Sequence, residues 1–313
     1  MTVTYPDLRL LLEEVEVCRV ERLSTSFVRL ELGSPALAEL GVDGPWLDQR
    51  IKLVIPHGDG PVPSFVGADE TWYATWLERP VEERGHMRTY TVRDVVGSGA
   101  NTRLVIDIVL HDDHGDGQAG PGSRWAARAS VGDRVVVLAP RRGTPYGGIE
   151  FVPGDAGRVL LAGDETAVPA IAGILRDLPP GAVGAALLEV PLSADVQELD
   201  APPGVEVLWL PRDGAPLGSL LHATAVESLG GVPVSVQVAD DEVDPDLWET
   251  PGYSSSGEEV ASEAVHTGDL YVWIAGESKV VTGLRRVLVD DLGLDRRQVA
   301  FMGYWRRGVS MAG

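Results

Sequence analysis

Apolar and polar positions alternate with a period of two in five stretches of the first half. They are VEVCRVERLSTSFVRLEL (15–32), RIKLVIP (50–56), MRTYTVR (87–93), NTRLVIDIVLH (101–111) and GDRVVVLAP (132–140). That period belongs to strands whose two faces meet different surroundings. The first stretch breaks into two strands at Ser24-Thr25-Ser26, and Pro56 ends the next. At least six short strands at close spacing, with little helix between them, predict an antiparallel six-stranded β-barrel. Residues from 57 to about 86, with Pro, Gly and the aromatics Trp72, Tyr73 and Trp76, read as a long loop.

Near residue 156 the pattern changes. RVLLAGDETAVPAIAGILRDLP (158–179) reads as strand, tight turn and helix, and VGAALLEVPL (183–192) and VEVLWLP (205–211) as strands. GSLLHATAVESL (218–229) reads as helix, LYVWIAGE (270–277) as buried strand, and 278–293 as a helix with Gly293 near its C-terminus. A last strand, VAFMGYWRRG, closes the chain. Strands alternating with helices predict a Rossmann-like parallel sheet. The expected organisation is a barrel domain over 1–155 and an α/β domain over 156–313. Between the last two βα units, residues 240–264 form an acidic insertion. Nine carboxylates and no Lys or Arg between Asp240 and Glu263 make it a solvated loop, with Leu247 and Trp248 as an anchor.

Composition narrows the partners. The formal net charge of −21 argues against nucleic acid and anionic membranes. No apolar run reaches the roughly 18 residues of a membrane span, and the first 17 residues lack a signal peptide's apolar core. Cys18 is the sole cysteine, so an intrachain disulfide and a thiolate metal cluster are both excluded. These features read as a cytoplasmic protein. Lys52 and Lys279 are the only lysines, against a background of arginine.

The chemistry-bearing candidates begin in 87–93. Alternation sends Arg88 and Tyr90 to one face, Thr91 adds a hydroxyl, and the backbone there is left for the edge of a ligand. A flat anionic cofactor such as a flavin dinucleotide suits this set; alone, the segment reads as an ordinary strand with a polar face. Downstream, Gly115, Gly117, Gly120 and Gly122 allow close backbone approach. Ser123 opens a helix over Arg124 and Trp125, whose N-terminus suits a pyrophosphate. His111 and His114 with Asp112, Asp113 and Asp116 fit no standard metal spacing, so no metal is assigned; His111 instead reads as a donor to a cofactor oxygen. Asp164 and Glu165 follow the first strand of the α/β domain, and Glu277 ends a later one, so all three face one cleft. The G-x-G-x-x-G pattern is missing there and two carboxylates repel phosphate, so a nicotinamide would bind atypically. For Asp164 and Glu165, helix N-terminal charge is the competing reading. Hydrolase and P-loop motifs are lacking.

Seven stretches in order, RTYTVR (88–93), DIVLH (107–111), GPGSRWA (120–126), GDETAVPAI (163–171), WIAGE (273–277), LRRVL (284–288) and GYWRRG (303–308), resemble the siderophore-interacting protein family of flavin-dependent ferric-siderophore reductases. The resemblance implies a ferredoxin reductase-like fold, with an FAD-binding barrel followed by a nicotinamide-binding-like domain. It implies that Arg88, Thr89, Tyr90 and Thr91 hold the isoalloxazine and adjoining phosphate. Asp107, Ile108, Val109, Leu110 and His111 would line the ribityl and phosphate region. Gly120, Pro121, Gly122 and Ser123, with the Trp125 helix, would take the pyrophosphate, and Thr166 would approach the flavin. Two positions depart from the family pattern: Asp112 and a longer loop replace a Gly and a short one, and Gly122 replaces an Ala. Lys52, with Arg141 or Arg142, would form a positive landing site for an anionic ferric complex; a Lys52 that merely snorkels from its strand is the alternative.

The implied reaction passes electrons from NADH or NADPH, or from a ferredoxin-type donor, through FAD to a ferric siderophore, releasing iron as Fe(II). The flavin carries the redox chemistry, so no catalytic side chain is assigned. A flavin or ferredoxin-type reductase with another acceptor, and a non-catalytic binder of ferric siderophore, remain open.

Overall fold

The computed structural model describes residues 8–111, 119–233, 248–250, 253–254 and 269–308. They form two compact units that meet in sequence at Ile149 and Glu150. The segment just after this point already belongs to the second unit. There, the Phe151 ring packs edge-on to Tyr271, whose hydroxyl accepts from Val152 N and donates to Glu150 O.

In the first unit the strands are β1 (Leu10–Arg22), β2 (Phe27–Gly33), β3 (Arg50–Ile55), β4 (His86–Thr91), β5 (Asp94–Val96), β6 (Arg103–Val109) and β7 (Arg134–Pro140). The sheet therefore has seven strands, in the order β4-β3-β7-β1-β2-β6-β5, and not six. The extra one, β5, is a three-residue edge strand too short for a period of two to show. Among the described residues it pairs with β6 alone. Its two-residue link to β4 carries the chain from one sheet edge to the other, and Arg93 N donates to Val105 O of β6.

Leu11, Leu30, Leu53, Ile106 and Val137 meet inside this barrel, none with any exposed surface. Each contributes on the order of 2 kcal/mol by leaving water, which fixes the register, because a one-residue slip would turn every such side chain outward. The outer face is covered as well. The predicted loop over 57–86 contains two short helices, α1 (Trp72–Glu78) and α2 (Val81–Arg84). Trp76 of α1 and Phe65 before it pack on Val54, Met87, Val136 and Leu138. A third helix, α3 (Pro121–Arg128), inserts Trp125 and Ala126 into the barrel core.

The second unit is an α/β layer structure. Its strands are β8 (Arg158–Gly163), β9 (Val183–Val190), β10 (Gly204–Pro211), β11 (Trp248–Thr250), β12 (Tyr253–Ser254), β13 (Leu270–Glu277) and β14 (Val299–Trp305). The sheet order is β10-β9-β8-β13-β14-β11-β12, parallel from β10 to β14 and antiparallel beyond. Between them run α4 (Val168–Asp177), α5 (Ser219–Ser228) and α6 (Ser278–Arg286). The acidic insertion is thus not loop throughout: β11 pairs with β14 through Trp248–Met302 and Glu249–Phe301. Leu247 and the remaining insertion residues other than 248–250 and 253–254 lie outside the described residues, as do Asp112, Asp113, His114, Gly115, Asp116 and Gly117. The strand order reverses between β8 and β13, the point at which open α/β sheets form a crevice at the strands' carboxyl ends.

Candidate functional site

Strand β4 sorts its side chains by parity. Tyr90, Arg88 and His86 lie opposite Ile51, Leu53 and Ile55 of β3, which face the barrel core. Thr89 lies opposite Lys52 on the other face. Tyr90 packs against the core cluster, and burial pushes its phenol well above the ordinary range despite nearby Arg88, so it stays a neutral hydroxyl. The Arg88 guanidinium is half-buried and donates to Met87 O at 2.6 Å. Burial lowers its proton affinity, and Arg124 on α3 lowers it further. Arg88 is therefore a cation held near another cation, in partial shelter from water.

Helix α3 faces these groups. A Cβ at Gly122 would stand 2.0 Å from the Tyr90 hydroxyl oxygen, so only glycine lets the first turn of α3 close over the ring. Pro121 occupies the first turn, where a missing N–H costs nothing. Ser123 does not cap the helix. Its Oγ accepts from His111 N at 2.9 Å and so ties the end of β6 to α3. No side chain of the described residues caps α3, which leaves its N–H groups and positive dipole end to an anion.

Not every candidate on β6 is placed alike. Ile108 is buried in the core, and Val109 and Leu110 are half-buried. Asp107, buried, is gripped by Arg29 at 2.7 and 2.8 Å, with Arg93 3.6 Å away. Its carboxylate is thus neutralised by arginines of β2 and of the β4–β5 link. Thr91 is buried and Thr89 exposed.

Of the cations suggested for an anionic substrate, Lys52 donates to Thr89 Oγ1 at 3.2 Å. Burial first, then the charges of Arg50 and Arg88, hold its ammonium below the ordinary lysine value. Arg141 pairs with Glu39, and Arg142 donates to Leu40 O at 3.1 Å. Both arginines fasten the short helix Pro35–Glu39 to the end of β7.

In the second unit Asp164, Glu165 and Glu277 do converge at the carboxyl ends of β8 and β13, each with internal partners. Asp164 is fully buried and accepts from Thr166 N and Oγ1, from Glu277 N at 2.7 Å and from Trp305 Nε1 at 2.8 Å. Burial, with help from the Glu165 charge, pushes its carboxyl up to about 7 against the pull of these donors. Gly276 makes the contact possible: a Cβ there would lie 2.6 Å from Asp164 Oδ2. Glu165 forms a two-pronged pair with Arg212 at 2.7 and 3.0 Å. Glu277 caps α6 through Lys279 N and Val280 N.

Sequence reasoning missed Glu189. It is fully buried, 3.6 Å from Arg212, and caps α5 through Gly218 N at 2.6 Å. Thus α5, α6 and the short helix Glu165–Ala167 before α4 already carry a carboxylate at the N-terminus. An incoming phosphate would meet negative charge there, whereas at α3 it meets arginine.

The residues of the first unit fit an FAD: a flat phenol, an adjacent guanidinium and an uncapped helix start suit its ring and its diphosphate. Among the described residues no cluster of His, Cys, Asp or Glu could hold a metal, and no helix is long and apolar enough to cross a membrane.

Comparison with known proteins agrees with this division. Residues 16–144 match the siderophore-interacting FAD-binding domain, and residues 156–308 match the siderophore-interacting protein family. An uncharacterised protein of Mycobacterium tuberculosis is 33% identical, over 95% of this chain and 91% of its own. The NADPH-dependent ferric-chelate reductase of Escherichia coli is 29% identical, over 93% and 92%. The crystal structure of a siderophore utilization protein from T. fusca superposes with a TM-score of 0.66 at 31% identity, covering 100% of this chain and 98% of that one. A ferredoxin reductase of carbazole 1,9a-dioxygenase shares the fold alone, with a TM-score of 0.54 and 15% identity over 96% and 71% of the two chains. With an FAD-binding barrel in front, a ferredoxin reductase-like α/β unit behind, and both halves matched in order, the chain belongs to the siderophore-interacting protein family.

Proposed function

We propose that this protein is an FAD-dependent reductase of ferric siderophores. The observation that carries the reading is the uncapped start of α3 beside Arg88 and Tyr90, in a chain whose α5 and α6 are capped by their own carboxylates. Bound FAD would accept two electrons from a reduced nicotinamide and deliver them singly to Fe(III), whose hard-oxygen complexes hold Fe(II) far less well.

The chain supplies placement and charge. Arg88 and the first turn of α3 hold the diphosphate, Tyr90 offers its face to the ring system, and Thr91 with the adjoining backbone meets the ring's edge. The Ser123–His111 link ties β6 to α3, the two elements that would line the ribityl and phosphate region. Lys52 is the landing cation for an anionic ferric complex, and its depressed proton affinity is relieved when that anion arrives. Arg141, tied to Glu39, has less charge to offer.

The donor is a reduced nicotinamide, NADH or NADPH, and the name of the Escherichia coli relative, an NADPH-dependent reductase, supports this class. The carboxylates at the helix starts of the second unit favour a weak or unusual dinucleotide mode, so a ferredoxin-type donor stands as the second reading. A single cysteine, with no disulfide to keep oxidised, supports a cytoplasmic setting for the reaction.

Anaerobic stopped-flow absorbance tests the proposal. The purified protein should be yellow, NADH, NADPH or a reduced ferredoxin should bleach it, and ferric siderophore should restore the colour. A colourless protein would make it a binder. A bleached protein that ferric siderophore leaves bleached would make it a reductase for another acceptor.

A further inference from the structure

Strands β9 and β10 go on pairing past their last residues. Arg212 N donates to Val190 O at 2.8 Å, and Asp213 N to Pro191 O at 3.1 Å. The chain then reverses over Arg212–Ala215, closed by Ala215 N on Arg212 O at 2.9 Å. Both central residues are left-handed, Asp213 at φ 45° and Gly214 at φ 102°. That is the pattern of a type I′ turn, which Asp and Gly tolerate well. The turn sets the Asp213 carboxylate against the segment leaving β9, where it accepts from Ser193 N at 2.9 Å and from Ser193 Oγ. These bonds, the hydroxyl's first, hold its carboxyl below the ordinary aspartate value, so it is an anion at neutral pH. Asp213 and Ser193 are exposed. On either side of the short helix Ser193–Asp195, Leu192 and Val196 are 38% and 45% exposed.

The guanidinium on this turn is committed inward. Arg212 grips Glu165 with two bonds and stands 3.6 Å from Glu189. Turning outward to a ligand would strand two buried carboxylates.

In dinucleotide-binding sheets a carboxylate beyond the second strand takes the adenosine ribose hydroxyls of NAD, whereas an arginine there accommodates the 2′-phosphate of NADP. Strand β9 is the second strand of this unit. Its end presents an anion, a hydroxyl and exposed apolar surface, beside an arginine already held by its own carboxylates. We propose that the end of β9 is the adenosine seat of the electron donor, and that Asp213 makes that donor NADH and not NADPH. This rests on the reading of a reduced nicotinamide as donor. Asp213 keeps lone pairs for the ribose hydroxyls, since each carboxylate oxygen accepts more than one bond. A 2′-phosphate would bring a charge of about −2 and acceptor oxygens to the same point. Leu192 and Val196 offer the adenine apolar cover. Because carboxylates occupy the helix starts where a pyrophosphate would sit, the adenosine end carries more of the donor affinity and sets the preference.

Anaerobic reduction of the FAD-loaded protein by increasing NADH or NADPH tests this. The second-order rate with NADH should exceed that with NADPH about tenfold at low salt, the order expected where an exposed charge meets a dianion a few ångström away in water. The gap should narrow as ionic strength rises. Asp213→Asn keeps an acceptor for Ser193 and removes the charge. It should raise the rate with NADPH and lower that with NADH, while melting as the parent does. Calorimetry gives a readout without turnover. ADP-ribose should bind the FAD-loaded protein more tightly than 2′-phospho-ADP-ribose, and Asp213→Asn should bring the two together. Equal rates with both donors, a preference for NADPH, or a preference for NADH undiminished in Asp213→Asn would overturn the proposal and leave the nicotinamide reading standing. Reduction by a ferredoxin, with neither nicotinamide active, would instead overturn the reading on which it rests.

Discussion

Gly122 lies so close beneath Tyr90 that a Cβ added to it would fall 2.0 Å from the phenolic oxygen and 3.4 Å from the ring carbon bearing it. The glycine and the tyrosine hydroxyl therefore form a matched pair. Gly122→Ala must tilt the ring or lift α3, a mismatch of about 1–3 kcal/mol for overpacking. We expect a lower melting temperature and at least tenfold weaker FAD retention, read by flavin fluorescence during dilution. In a Tyr90→Phe background the same substitution should cost much less, because the clashing oxygen is gone. Additive losses in that double-mutant cycle would show that the pair is uncoupled.

The strands were legible because half-buried strands write their period into the sequence, and the change at the α/β unit was legible for the same reason. What stayed hidden was short or distant. The β5 strand has three residues, too few for a period, and α1 hides Trp72, Tyr73 and Trp76 at helical spacing within a Pro- and Gly-rich stretch. Arg88, Tyr90 and the open start of α3 could be read locally. The closeness of Gly122 to Tyr90 could not, since it comes from α3 closing the barrel across 32 residues of chain. Ser193 and Asp213 meet only because β9 and β10 pair Val190 with Pro211. Asp164 and Glu165 were readable as helix-start charges, but Arg212, the partner of Glu165, lies 47 positions away.

Asp164 gives a pH signature. Its carboxyl titrates at about 7 in the folded chain against an ordinary 3.8. The folded state therefore binds the extra proton between those values, and this group's contribution to stability is full below about 4 and lost as pH rises through about 7. Asp164→Asn cannot titrate. Urea denaturation across that range should show parental stability declining relative to the variant. Parallel pH profiles would mean the carboxyl is ionised throughout.

Arg212 balances two buried carboxylates, Glu165 and Glu189. Removing it by Arg212→Met strands both in low dielectric, a loss of about 3–5 kcal/mol for a broken buried pair. Its effect should exceed that of Glu165→Gln, which keeps a hydrogen-bonding group in place and leaves Arg212 beside Glu189. Thermal denaturation followed by circular dichroism would rank them, and equal losses would argue that Glu189 is neutral.

Lys52 separates a landing cation from a snorkelling one. Its ammonium is half-buried, bonded to Thr89 Oγ1, and disfavoured by Arg50 and Arg88, so an arriving anion gains a charge already desolvated. Lys52→Ala should raise KM for anionic ferric complexes about tenfold at low salt, leave kcat within about twofold, and barely affect a neutral complex. The difference should shrink as ionic strength rises, since screening shortens the reach of the charge to about 10 Å at 0.1 M and about 3 Å at 1 M. Flavin reduction by the donor, followed separately, should be unchanged. If KM moves equally for anionic and neutral complexes, the lysine acts by packing its stem against the strand and not by charge.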